Sequence, residues 1–313
     1  MISPPKIIFD TDIGFDCDDA GALALLHRLC DKGEAELIAA TACYDSPYVA
    51  GCIDAINTYY GRPVPVGMLY NAKKAVDDFP VYSPALCRDY PNSYPAENHP
   101  QAENAVTLLR RILSQAENSS ITLVITGSLA TASALLQSPP DDCSPLSGLE
   151  LVSQKIEKTV IMGGRFYESW PDDIVFADGF TVTWEWNIKA DVPAAQMVCR
   201  NWPGVLVFAS YEIGLSCISM QHYCEKAPVN DPVRQAYLLH GSTNGRSSWD
   251  QTAVLEAVRP GQYFRQQPMG IISVDNEGVT HYQESTDGLH TYLLPITDST
   301  ALAHIIDTLV LPC

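Results

Sequence analysis

Short apolar runs, separated by stretches of helical periodicity, constrain this chain more than any other feature. Lys6–Asp10 (KIIFD), Glu36–Ala42 (ELIAATA), Val64–Leu69, Ile121–Ile125 (ITLVI), Thr159–Met162 (TVIM) and Val205–Phe208 (VLVF) read as strands. Between them, Asp18–Cys30 carries Ala20, Leu23, Leu26 and Cys30 near helical spacing. Pro47–Tyr60 ends at Gly61, and Gln101–Glu117 sets Val106, Leu109, Ile112 and Leu113 on one side. A strand that is apolar throughout is buried on both faces, which requires helices above and below a parallel sheet. The chain is therefore expected to form an open, mostly parallel α/β sheet with helices on both faces.

Later segments add to this frame. Glu212–Val258 reads as mostly helical, and Arg88–Pro100 and Asp172–Gly179 as loops. Ile271–Val274 (IISV) and His290–Leu294 (HTYLL) are expected to make a small C-terminal antiparallel hairpin, followed by a helix over Thr300–Val310. There is no internal repeat, low-complexity linker or break in composition, so one domain over residues 1–313 is expected.

Composition excludes several classes. Acids outnumber bases 37 to 19, an excess of 18 negative charges that repels phosphate backbones, so nucleic acid is not an expected partner. No window approaches the length of apolar chain that spans a bilayer. The start, MISPPKIIFD, has too short an apolar run for a secretory signal, which points to a cytoplasmic protein. The ten cysteines are scattered, without a CxxC pair or zinc spacing, and read as reduced, buried thiols.

The chemistry concentrates after the first strand. In Asp10-Thr11-Asp12-Ile13-Gly14-Phe15-Asp16-Cys17-Asp18-Asp19, five carboxylates fall between a strand end and a helix start. Ligands of open α/β sheets bind at the carboxyl ends of strands, where this cluster lies. Carboxylates packed so closely repel unless a cation or protons neutralise them, and oxygen-only donors suit Ca²⁺ or Mg²⁺ rather than zinc. A solvated acidic loop serving the helix N-terminus accounts for one or two of these acids, not for five.

With this motif the chain resembles the nucleoside hydrolase family, the inosine–uridine-type N-ribohydrolases. Their signature, Asp-x-Asp-x-Gly followed by a spacer and Asp-Asp-Ala, reads here DTDIG, FDC, DDA, in a longer form with the additional Asp16. LVITGSLAT (123–131), VIMGG (160–164), EWNIKADVPAA (185–195) and Asp250 in SWDQTA are similar to further family segments. The resemblance implies a Rossmann-like nucleoside hydrolase fold, a homodimer or homotetramer, and a small-molecule nucleoside or riboside as substrate. It implies Ca²⁺ held by Asp12, Asp19, the backbone carbonyl of Thr126, and Asp250. Asp18 is then the general base acting on a metal-bound water. Asp10 is implied to stand behind the ligands or to touch the ribose, and Met162, Glu185 and Asn187 to line the sugar site. For Asp250, a helix N-cap is the ordinary reading without the resemblance. Asp16 receives no role.

Three positions depart from the family pattern or admit a plainer reading. Asp45 stands where a ribose-binding Asn is usual, keeping an acceptor but losing the amide donors. Glu212, in SYEIG, reads as a contact to the sugar's 5′ side or as a helix-start glutamate. Trp249 replaces the His that precedes the late Asp in members with a leaving-group acid; its indole stacks on a base or only packs. Tyr90, Tyr94, His99 and His240 are then the candidate replacement acids. Glu185 and Asn187 alternate with Trp184 and Trp186, which in an extended segment sets the polar pair on one face. Two other functions compete: an Asp-based Mg²⁺ phosphatase with Asp10 as nucleophile, for which Gly14 and Asp18-Asp19 are a poor fit, and a ribose- or nucleoside-binding protein without turnover.

Overall fold

The structure, a computed structural model, describes residues 3–72, 80–99, 101–167 and 183–311. The strands, in chain order, are β1 Lys6–Thr11, β2 Glu36–Ala42, β3 Val66–Met68, β4 Glu103–Asn104, β5 Ile121–Ile125, β6 Ile156–Met162 and β7 Val205–Ala209. They continue with β8 Ile218–Ser219, β9 Arg246–Ser247, β10 Phe264–Gln266, β11 Gly270–Val274, β12 Thr280–Glu284 and β13 His290–Pro295. The main sheet runs in the order β12-β11-β13-β7-β6-β5-β1-β2-β3-β4. From β4 through β7 every pairing is parallel, and β13 adds to β7 in parallel as well.

The central strands alternate between two cores, as a period of two demands, apart from register shifts where β1 meets β2 at Ile7/Ile8 and β5 meets β6 at Ile121/Thr122. Ile7 and Phe9 of β1, Val124 of β5 and Val160 of β6 face a layer built from helices Asp18–Asp31, Val49–Tyr59, Pro232–His240, Trp249–Val258 and Ser299–Val310. Ile8, Leu123, Ile125 and Ile161 face the other layer, with helices Ala105–Gln115, Ala130–Leu136, Gly148–Lys155 and Val192–Asn201. These side chains are at most 2% exposed. Each contributes roughly 1.5–3 kcal/mol by leaving water, which makes exchange of the central strands' faces prohibitive.

Strand order reverses at β1, which has β2 on one side and β5 on the other. Chain connections diverge at such a point, leaving a crevice beyond the strand ends. The β1 end carries Asp10–Asp12 and the β5 end Thr126, joined by a hydrogen bond from the Thr126 amide to the Asp10 carbonyl at 2.8 Å.

Four expectations change. The hairpin is β11–β12, whereas β13 leaves it to join the main sheet beside β7, pairing with β11 at Gly270–His290, where the His290 Nδ1 also accepts the Ile272 amide at 2.9 Å. Arg88 and Asp89 finish a helix, Ser83–Asp89, rather than open a loop, and Ala96–Asn98 forms a 3₁₀ turn. The helix expected from Gln101 starts at Ala105, because Asn104 caps it by accepting the Val106 amide and Glu103–Asn104 pairs with β3. Trp186–Ala190 is helical rather than extended. The Asp172–Gly179 loop lies outside the described residues. None of the nine described cysteines is in a disulfide, and among the described residues no helix is long and apolar enough to cross a membrane.

Candidate active site

Beyond the ends of β1, β5 and β6 lies a cavity of about 490 Å³, a volume ordinary for small-molecule sites. Asp12, Asp18, Asp19, Thr126, Met162, Glu185, Asn187, Trp249 and Asp250 all line it. Asp18 and Asp19 occupy the first turn of helix Asp18–Asp31, and Asp250 the first turn of helix Trp249–Val258. The two helices approach closely because position 21 is glycine: a Cβ there would meet the Gln251 amide and the Tyr237 hydroxyl at 2.5 Å. Ser248 holds the N-cap position of helix Trp249–Val258 without a side-chain capping bond, and the helix is buried from Asp250 to Ala257, so Asp250 lies in the first turn rather than at the N-cap.

Carboxylate oxygens of Asp18, Asp19 and Asp250 all lie within 4.8 Å of one another, on side chains at most 4% exposed. Burial first, and the neighbouring carboxylates second, push Asp18 and Asp250 well above the usual carboxylate range. Asp19 is gripped by the Thr11 hydroxyl and by the Thr126 hydroxyl at 3.2 Å, and Asp18 accepts the Asp250 amide at 3.3 Å. Asp12 lines the cavity outside this three-carboxylate cluster. Such a buried all-oxygen donor set is strained by its own charge and fits a hard divalent cation.

The sugar-side candidates are held by backbone. Glu185 caps helix Trp186–Ala190, accepting the Asn187 amide at 2.8 Å and the Ile188 amide at 3.1 Å, and also takes the Gly164 amide at 3.1 Å. Burial raises its pKa to about 7. The Asn187 Nδ2 donates to the carbonyls of Thr126 at 3.0 Å and Met162 at 3.2 Å, tying the ends of β5 and β6 together. Helical geometry here turns Trp186 outward, 45% exposed at the cavity wall, while Glu185 and Asn187 are buried. Alternation of polar and indole residues misled because the Glu185 carboxylate, as an N-cap, starts a helix.

Three named candidates lie off the cavity lining. Asp10 sits beneath it, 1% exposed, accepting the Thr41 hydroxyl at 2.5 Å, with burial raising its pKa to about 7. Asp45 is taken by the Asn71 amide at 3.0 Å and by His99 at 3.1 Å. Glu212 accepts the Phe166 and Tyr167 amides at 2.8 and 3.0 Å. None of Tyr90, Tyr94, His99 and His240 lines the cavity either. Tyr90 reaches the Asp231 carbonyl at 3.4 Å, Tyr94 packs on the core, and His240 bonds the Ser242 hydroxyl at 2.8 Å.

Trp249 stacks on Tyr211, ring centroids 5.6 Å apart and 21° from parallel, and its indole N–H donates to the Tyr211 carbonyl at 3.0 Å. Gly214 permits this seat, since a Cβ there would meet Trp249 at 2.4 Å. Sequence reasoning missed Tyr211, Phe15 and Arg246 in the lining. Arg246 lies over the Trp249 ring at 5.0 Å and pairs with Asp16 through two hydrogen bonds, at 3.1 and 2.5 Å. Burial alone would raise the Asp16 pKa, but the Arg246 hydrogen bonds and charge hold it below the usual range. The unassigned fifth carboxylate was the one available signal for this arginine.

At the switch point, the cavity gathers the buried carboxylates Asp18, Asp19 and Asp250 beside the polar side chains of Glu185 and Asn187. The chain belongs to the inosine–uridine preferring nucleoside hydrolase family, whose model matches residues 7–311. No curated protein matches it in sequence. Among solved structures it is similar to a plant nucleoside hydrolase, PpNRh1 (17% identity, 98% of each chain covered, TM-score 0.70). It is similar also to the inosine–uridine preferring nucleoside hydrolase of Bacillus anthracis (19% identity, 98% and 99% covered, TM-score 0.68). A third is the type III effector protein XopQ complexed with adenosine diphosphate ribose (15% identity, 98% and 92% covered, TM-score 0.71). At these identities the likeness is one of fold.

Proposed function

We propose that this protein hydrolyses the N-glycosidic bond of ribonucleosides in a Ca²⁺-dependent reaction, releasing ribose and the free base. The observation that carries this reading is the convergence of three buried carboxylates, Asp18, Asp19 and Asp250, in one cavity whose lining includes Thr126 and Asn187. Asp12, Asp19, Asp250 and the Thr126 carbonyl would hold the cation. When bound, it would offset their charge and make a neighbouring water more acidic.

Asp18 accepts the water proton, its carboxylate oriented by the Asp250 amide at 3.3 Å. The water oxygen attacks C1′ as the bond to the base nitrogen breaks, and the electron pair leaves with the base through an oxocarbenium-like state. Asn187, with Nδ2 committed to two carbonyls, presents its oxygen to a sugar hydroxyl. Glu185 accepts another, and Met162 covers the ring. Asp10 acts from below, ordering Thr41 and the β1 end. Its burial off the lining also weighs against the phosphatase reading, which needs it as an exposed nucleophile.

The test is a panel of inosine, uridine, adenosine, cytidine, adenosine diphosphate ribose, p-nitrophenyl riboside and phosphomonoesters, with and without chelator. Chelator-sensitive release of free ribose or base supports the reading. Binding without turnover selects the non-catalytic alternative, and phosphate release the phosphatase.

A further inference from the structure

Arg246 is the one basic residue among the described residues lining the cavity, which otherwise carries six carboxylates: Asp12, Asp16, Asp18, Asp19, Glu185 and Asp250. Two of its nitrogens, Nε and Nη2, are committed to Asp16, and its guanidinium lies over Trp249, the residue directly before Asp250. A two-point pair fixes the plane of a guanidinium as a single contact does not. Among the described residues Nη1 has no hydrogen-bond partner, so an oriented N–H donor remains in the wall beside the candidate base-stacking indole.

Building on the proposed hydrolysis, we propose that Arg246 binds the departing nucleobase and stabilises the charge it gains, with Asp16 as the residue that positions it. No proton is transferred by arginine, which keeps its charge at working pH. As the C1′–N bond breaks, its electron pair moves onto the base. An Nη1 donor to a ring nitrogen or carbonyl oxygen of that base is then stronger in the transition state than in the ground state. The water proton goes to Asp18, and the released base takes its proton from solvent. This assigns work to the extra carboxylate of the DTDIGFDCDDA motif and supplies electrostatic leaving-group assistance where Trp249 offers no acid. It also identifies the substrate class as ribosides with a hydrogen-bond acceptor near the glycosidic nitrogen.

The experiment compares kcat/KM for inosine with that for p-nitrophenyl riboside, whose leaving group departs without assistance. Removing one oriented donor typically costs about 10²–10³ in rate, so Arg246→Ala should raise the p-nitrophenyl riboside to inosine ratio by about 100-fold or more. Asp16→Asn should raise it by about 10-fold, mostly through kcat, and the double variant should be no worse than Arg246→Ala alone, since coupled residues are not additive. Arg246→Lys, which keeps charge and bulk, is the second variant should Arg246→Ala prove unstable; it should restore part of the inosine rate. Equal losses on both substrates overturn the leaving-group role, and multiplicative losses in the double variant overturn the positioning role of Asp16. If the wild-type protein with Ca²⁺ cleaves neither substrate, the hydrolase reading falls, and this inference with it. If it cleaves both and the ratio stays fixed, only the inference falls.

Discussion

Replacing Asp250 with asparagine should stabilise the cation-free protein and abolish its stabilisation by calcium, two effects of opposite sign from one atom change. Its carboxylate faces those of Asp18 and Asp19 with oxygens within 4.8 Å. Two unit charges at that distance repel by about 3 kcal/mol at the effective dielectric of about 20 that suits protein sites. Burial and the neighbouring carboxylates push Asp18 and Asp250 well upward, the direction in which proton uptake offsets part of this repulsion. A gain of about 1–3 kcal/mol in the chelated Asp250→Asn protein remains. For the wild type, Ca²⁺ at a hundred times its dissociation constant adds about 2.7 kcal/mol. At roughly 2 °C per kcal/mol for a chain of this size, that is a Tm rise of about 5 °C. The assay is differential scanning fluorimetry of both proteins in chelator and in a calcium series. Lower stability of the chelated variant, or an equal calcium-induced shift in both, would refute the reasoning that repulsion among these carboxylates is what a cation relieves.

Further outcomes follow from other parts of the fold. His27 is fully buried, bonded to Asn57 at 2.9 Å and to Arg62 at 3.0 Å, and burial lowers its pKa to about 3. The unfolded chain protonates it near pH 6.5 and the fold does not, so stability should fall as pH drops below 6.5, by about 1.4 kcal/mol per unit down to pH 3. Urea melts from pH 7 to 4.5 should show a shallower decline in His27→Gln than in wild type. Gly214→Ala drives a methyl into Trp249 at 2.4 Å. It should cost about 1–3 kcal/mol in thermal melts and raise KM for nucleosides as the indole leaves Tyr211. Asn187→Ala removes the amide that bridges the Thr126 and Met162 carbonyls. A loss of about 1–3 kcal/mol in stability, together with weaker calcium binding by calorimetry, is expected.

Where burial was decided by the chain's own pattern, the sequence reading and the structure coincide. Glu36–Ala42 and Ile121–Ile125 are strands to the residue, because a continuous apolar run flanked by turns has little alternative to a doubly covered parallel strand. The carboxylates of the first strand end and the helix after it were legible as a cluster for the same local reason. Partnerships across long separations were not. His290–Leu294 has strand character but nothing in it says that β7, more than eighty residues upstream, is its neighbour. Asp16 and Arg246 are 230 positions apart and meet only because β9 is brought over the cavity beside helix Trp249–Val258. Trp184 to Asn187 alternates as a strand does, yet a single capping carboxylate makes it a helix start. Nor was it legible that Asp45 accepts the Asn71 amide and Glu212 the Phe166 and Tyr167 amides, since those backbone partners lie 26 to 46 positions away.

Asp18→Asn separates the proposed roles of the clustered aspartates, one as base and the others as cation ligands. Turnover of inosine and calcium affinity should be measured on the same preparation. If Asp18 is the base, kcat should fall by about 10²–10⁴, the range for loss of a general base, with calcium affinity changed by less than about tenfold. Undiminished turnover, or loss of calcium binding in step with activity, would contradict the assignment of Asp18 as base rather than ligand.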